Sequence, residues 1–86
     1  MPSLIYAPAF VKQFNKLELA LQEEIYEKVE MFRDIKNHDQ LKVHKLNGPF
    51  SGCYSFSVNY KIRIVFQYSN KTEAALLAVG SHEIYK

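Results

Sequence analysis

The chain has 86 residues, 48% of them hydrophobic and 14% aromatic, with a formal net charge of +2; this is an ordinary globular composition, long enough for one domain (residues 1–86) with a small core. A single cysteine, Cys53, excludes an intrachain disulfide and a four-cysteine zinc site. No apolar run approaches the ~20 residues needed to span a bilayer, and MPSLIYAPAF lacks the pattern of a signal peptide, so a cytoplasmic location is the expectation.

In chain order, Ser3 to Tyr6 is a short apolar run that Pro8 closes, which predicts a first strand. From Ala9 the period changes. Phe10, Phe14, Leu17, Leu21, Ile25, Val29 and Phe32 recur every three or four residues, the stripe of an amphipathic helix. The stripe fits either one rod or a short and a longer helix broken near Asn15 to Leu19, ending around Asn37 to Gln40. Leu41 to Leu46 alternates as a strand, with Lys42 and His44 on one face and Leu41, Val43 and Lys45 on the other. Asn47-Gly48-Pro49 is a turn.

The stretch Gly52 to Tyr68 then reads as a two-stranded ribbon. Tyr54, Phe56 and Val58 alternate with Cys53, Ser55 and Ser57; Ile62, Ile64, Phe66 and Tyr68 alternate with Arg63, Val65 and Gln67. If both apolar rows share a face, Val58 pairs with Ile62 and Phe56 with Ile64. That requires an odd-length connection, Asn59-Tyr60-Lys61, and sets Ser57 opposite Arg63 on the polar face. Ala74 to Val79 predicts a last strand covered on both faces. The fold class is therefore α+β: an N-terminal strand and two helices, or one broken helix, on one face of a mainly antiparallel four- to five-stranded sheet.

Charge is unevenly placed. Residues 1–40 carry five basic and seven acidic side chains, residues 41–86 six basic and two acidic. The positive half coincides with the sheet, which points to a polyanionic partner on that side. No metal-ligand spacing, glycine-rich phosphate loop or nucleophile elbow is present. What remains is a set of cations and imidazoles. Arg63 leaves the middle of the ribbon, and its fork of donors fits carboxylate or phosphate. Lys42 and His44 lie on the neighbouring strand, and His82 and Tyr85 follow the last one. Such a set suits phosphodiester cleavage, with general acid, general base and a cation on the developing charge. A structural alternative pairs Arg63 with Glu83.

The runs LKVHKLNGPFSGCYSFSVNYKIRIVFQY and AALLAVGSHEIY resemble the RelE/ParE superfamily of bacterial toxin–antitoxin toxins. The resemblance lies in an L-x-x-H-x-L-x-G strand and turn, a G-x-aromatic-S-x-x-V strand, an R-I-V-F strand and a terminal G-S-H-E-x-Y. With the N-terminal strand and helices it covers essentially the whole chain. It implies a toxin silenced by a cognate antitoxin protein. In the mRNA-cleaving branch such toxins enter the ribosomal A site and use the message's own 2′-hydroxyl as nucleophile, without a cofactor or metal. By that resemblance Arg63 stabilises the scissile phosphate, His82 and His44 are acid and base in either order, and Tyr85 matches a C-terminal tyrosine. Lys42, Lys45, Lys61 and Ser57 become RNA or phosphate contacts. Where the YafQ-like pattern carries a histidine and an aspartate around the ribbon turn, this chain has Ser57 and Lys61. The alternatives are a ParE-like gyrase inhibitor without a catalytic step and an inactive antitoxin-binding relic.

Overall fold

In the computed structural model, which describes residues 3–81 and 84, the elements follow one another as β1 (Ser3–Tyr6), α1 (Pro8–Asn15), α2 (Leu19–Phe32), a 3₁₀ turn (Ile35–Asn37), α3 (His38–Leu41), β2 (His44–Lys45), a second 3₁₀ turn (Gly48–Phe50), β3 (Tyr54–Ser57), β4 (Arg63–Asn70) and β5 (Glu73–Gly80). The sheet has five strands in the order β1-β5-β4-β3-β2. β1 runs parallel to β5, and every other neighbouring pair is antiparallel. The expected α+β class holds. No helix among the described residues is long and apolar enough to cross a membrane.

Of the two readings of the helical stripe, the broken one holds, with the break between Asn15 and Leu19. Pro8 opens α1 at its first turn, where its missing N–H costs nothing. α1 closes because Gln22, one turn into α2, donates from Nε2 to the carbonyls of Phe14 and Leu17, at 2.9 and 3.1 Å. The Phe14 carbonyl also accepts from the Leu17 N–H at 3.1 Å, so a backbone turn and a side chain close this helix end together. On the other side Gln13 Oε1 accepts from the Val79 N–H at 2.9 Å, fastening α1 to β5 beside a register shift opposite Val65/Phe66.

The second helix ends earlier than the sequence suggested, at Phe32 rather than near Asn37. Two later side chains cap it. Asn37 Nδ2 donates to the Met31 carbonyl and His38 Nε2 reaches the Phe32 carbonyl, both at 2.9 Å. Asp34 starts a fresh turn by accepting from the Lys36 N–H. The residue that would continue the stripe, Ile35, is 78% exposed. The segment expected to be a strand from Leu41 is also different. Leu41 closes α3 and is buried in the core, Lys42 turns the chain in the left-handed region (φ 60°), and only His44–Lys45 pairs with β3.

The core lies between the helices and one sheet face, and Phe32 is its hub. Its ring stacks on Phe56 at 4.6 Å, meets Phe66 edge-on at 4.6 Å, and carries the His38 imidazole flat against it at 4.8 Å. Ile25, Val29, Phe10, Ile64, Leu76 and Val79 complete the packing. The expected pairs Phe56↔Ile64 and Ser57↔Arg63 are both present. β5 is not fully covered on both faces: Ala74 and Leu76 are buried, while Ala75 and Ala78 on the outer face are half-buried. At the far end of β4, burial first and the neighbouring Tyr54 second push the Tyr68 hydroxyl above its ordinary pKa.

Truncating the hub should be costly. Phe32→Ala removes three ring contacts from a fully packed site, and such changes cost about 3–5 kcal/mol. Urea unfolding should show a large fall in midpoint at constant slope. A loss below about 1 kcal/mol would show that the core does not depend on this ring.

Candidate nucleic-acid interface

The odd-length connection between β3 and β4 decides what faces where. Val58 N–H donates to the Ile62 carbonyl at 2.9 Å, closing the loop around Asn59-Tyr60-Lys61. Phe56 and Ile64 therefore point into the core, and Ser57 and Arg63 share the opposite face. Arg63 is half-buried, and its Nη1 donates to Ser57 Oγ at 2.8 Å. One nitrogen of the fork is thus held by a neutral acceptor, which orients the guanidinium without neutralising it.

Because β2 stops after two residues, the edge of β3 beyond Ser55 has no strand beside it among the described residues. A groove of about 770 Å³ opens there. Its floor is apolar (Met31, Leu41, Val58) and its rim is cationic: Lys28, Lys42, Lys61 and Arg63. No Asp or Glu lines it among the described residues. Four like charges at one opening repel one another, and an anion relieves that repulsion.

Lys42 reaches this rim by a different route from the one expected. It caps α3 in a left-handed conformation that disfavours residues with a Cβ. Glycine is the usual residue at such a helix end. Lys42 thus holds this position at a conformational cost, with its side chain exposed on the cationic groove. Lys28, read from sequence as a water-facing helix residue, also lines the groove. Its role depends on how α2 crosses the sheet, which periodicity does not encode.

His44 lies outside the groove lining but on the Arg63 face, since it pairs with Ser55, which shares parity with Ser57. Its Nδ1 meets the Lys42 carbonyl at 2.8 Å. A carbonyl only accepts, so Nδ1 donates, and Nε2 of the neutral ring keeps its lone pair available to a substrate. Lys45 pairs with Tyr54, which places it on the opposite face from Arg63, apart from the groove. Ser57 and Lys61 both line it. His82 and Tyr85 lie outside the described residues, as does Glu83. Of that segment Ile84 is described, and its position relative to the site is defined. Gly80 is the cross-strand partner of Arg63, and a Cβ added to it would come within 2.6 Å of Ile84 Cγ2. Ile84 therefore rests on the Arg63 face of the sheet, its N–H bonded to the Ser81 carbonyl at 3.0 Å.

Among the described residues, no group of three His, Cys, Asp or Glu side chains is placed to hold a metal ion. Of the residues lining the groove, sequence reasoning missed Lys28 and passed over Tyr60. For Tyr60 a signal existed: an aromatic in the connecting loop of a ribbon whose apolar rows are otherwise complete.

No family model matches the chain, and no curated protein matches it either. Solved structures do. A copper-bound point mutant of a toxin from Helicobacter pylori superposes with a TM-score of 0.73 at 21% identity, covering 100% of both chains. YafQ from E. coli gives 0.72 at 10% identity, over 99% of this chain and 98% of that one. The YoeB–YefM complex from Staphylococcus aureus gives 0.73 at 15%, over 95% and 98%. The chain thus has the fold of the RelE, YafQ, YoeB and ParE-type toxins.

If the groove takes a phosphate backbone, three or four of its cations should contact it. Binding of a single-stranded oligonucleotide should then weaken with salt at a logarithmic slope of about −2 to −3. Lys42→Gly should flatten that slope by about 0.7 while leaving the melting temperature unchanged or raised, because glycine relieves the left-handed backbone. A slope near zero for the native protein contradicts the groove; a clear loss of stability in the variant contradicts the strain.

Proposed function

We propose that this chain is the toxin of a type II toxin–antitoxin module and that it cleaves messenger RNA on the ribosome, so blocking translation. The observation that carries this reading is the Arg63–Ser57 pair opening onto a groove with four cations and no carboxylate among its described lining residues. The fold, shared with toxins that include YafQ and YoeB, supports it. A gyrase poison needs a binding surface but no base; His44 with an available Nε2 on the Arg63 face favours the catalytic reading.

In this mechanism the groove holds the backbone of the message with Lys28, Lys42 and Lys61. Arg63 takes the non-bridging oxygens of the scissile phosphate, with Ser57 steadying its fork. A base removes the proton from the ribose 2′-hydroxyl and O2′ attacks phosphorus. The bond from phosphorus to O5′ breaks and an acid protonates O5′. The products are a 2′,3′-cyclic phosphate and a 5′-hydroxyl. We assign base and acid to His44 and His82 in either order, with Tyr85 beside them. Negative charge grows on the phosphate as O2′ approaches, so the Arg63 hydrogen bonds strengthen most in the transition state.

The antitoxin belongs to a different surface. An apolar cleft of about 220 Å³ between α1 and α2 is lined by Tyr6, Phe10, Val11, Phe14, Ile25, Tyr26 and Val29. Tyr26 is 67% exposed at its edge. A cleft of this shape accepts an amphipathic helix of a partner protein, and the complex of YoeB with YefM supports assigning it to an antitoxin.

Arg63→Ala should lower the rate of message cleavage on programmed ribosomes by about 10²–10³-fold. Arg63→Lys should recover only part, since charge returns without the fork. The side chain is off the core, so thermal melting should barely move. A stable Arg63→Ala protein that cleaves normally contradicts the mechanism, and native protein that spares messages but inhibits gyrase supercoiling assigns the fold's other activity. For the partner, Tyr26→Ala should weaken capture of the protein encoded beside this one without a change in melting temperature. Unaltered capture would move the antitoxin off this cleft.

A further inference from the structure

Tyr60 is 98% exposed, the most exposed of the large hydrophobic side chains among the described residues, and it stands on the rim of the cationic groove. Among the described residues no other aromatic lines that groove. Its exposure does not come from a loose loop. Asn59 Oδ1 accepts from the N–H groups of both Lys61 and Ile62 at 2.8 Å, and Asn59 Nδ2 donates to Glu24 Oε1 on α2 at 2.7 Å. The residues on either side of Tyr60 are thus fastened, one of them to a helix, while its ring meets water. An aromatic ring in that position contributes nothing to the core and forgoes the favourable free energy of burial. Its neighbour Lys61 and the Arg63 fork are phosphate ligands in character.

Resting on the proposed RNA-cleaving function, we infer that Tyr60 is a stacking platform for an unpaired nucleobase, and that it makes the groove selective for single-stranded over duplex RNA. Phosphate charge alone does not select the single strand, because the duplex presents the same groups at higher charge density. A π-face does, because only an unpaired base can leave its stack and lie on a side chain. The rigid Asn59 turn sets the ring beforehand, so less ordering cost is met on binding. Asn59 is then a positioning residue: it acts through Tyr60 and Lys61 without touching the strand.

The test measures fluorescence anisotropy of a labelled single-stranded pentaribonucleotide, and of the same sequence in a duplex, against native protein, Tyr60→Ala, Tyr60→Phe and Lys42→Ala across a salt series. Melting temperatures are recorded on every sample. The expected result is roughly 10-fold weaker single-strand binding by Tyr60→Ala with an unchanged salt slope, and near-native binding by Tyr60→Phe. Lys42→Ala should instead flatten the slope. Duplex binding should be weak and indifferent to Tyr60. Native-like single-strand binding by Tyr60→Ala overturns the platform and leaves the groove standing. Equal binding of duplex and single strand by the native protein overturns the selectivity. A native protein that binds neither strand overturns the groove and the platform together. Loss of antitoxin capture by Tyr60→Ala, with RNA binding unchanged, assigns the ring to protein recognition and overturns the inference.

Discussion

The structure depends on the register between β3 and β4. Side chains alternate with a period of two, so one residue more or fewer in the connecting loop would turn Phe56 or Ile64 outward and bring Arg63 or Ser57 into the core. The five-residue closure from Val58 to Ile62 forbids that. The same hydrogen bond therefore fixes two things: the stack of Phe32 on Phe56 and the exposure of the Arg63 fork. Burying an unpaired guanidinium would be far costlier than any turn strain, so the core and the candidate site enforce one another.

Around that frame, several residues sit where stability alone would not place them. Lys42 holds a left-handed conformation. Tyr60 spreads its ring into solvent. β2 covers only two residues of β3, leaving a strand edge that folding alone would extend or cover. All three border the same groove or open it. A small domain has only about 5–15 kcal/mol of net stability, and deviations collected in one place are what the proposed RNA-binding role of this groove accounts for.

Much of this was legible in the chain. Alternation in Tyr54–Val58 and Ile62–Tyr68 gave the ribbon, and parity gave the Ser57↔Arg63 pair before any coordinates. The 3.6-residue stripe gave the helical face but left one rod and two helices equally open, because the Gln22 bonds to Phe14 and Leu17 that mark the break are side-chain bonds. The failures have a common cause. His38 and Asn37 were read as the fading end of a helix, but they cap α2 through side-chain bonds to Met31 and Phe32, and local pattern does not encode such bonds. Lys42 was read as a strand residue because LKVHKL alternates; the buried Leu41 and the left-handed turn after it outweighed that pattern. Lys28 was invisible as a groove residue because it comes from 35 positions before Arg63 in sequence, and only the packing angle of α2 brings it near. His82 and Tyr85 were named from their place after the last strand and took their roles from the resemblance; they lie outside the described residues.

In the proposed mechanism the ribose 2′-hydroxyl is the nucleophile, and the protein supplies only charge, fit and proton transfer. The direct measurement is cleavage of a ribosome-bound message in which a single nucleotide, the one 5′ to the mapped cut, carries 2′-deoxyribose. That message should survive intact while its all-ribose twin is cut to a 2′,3′-cyclic phosphate end. A cut at the same bond in the deoxy message would contradict the mechanism.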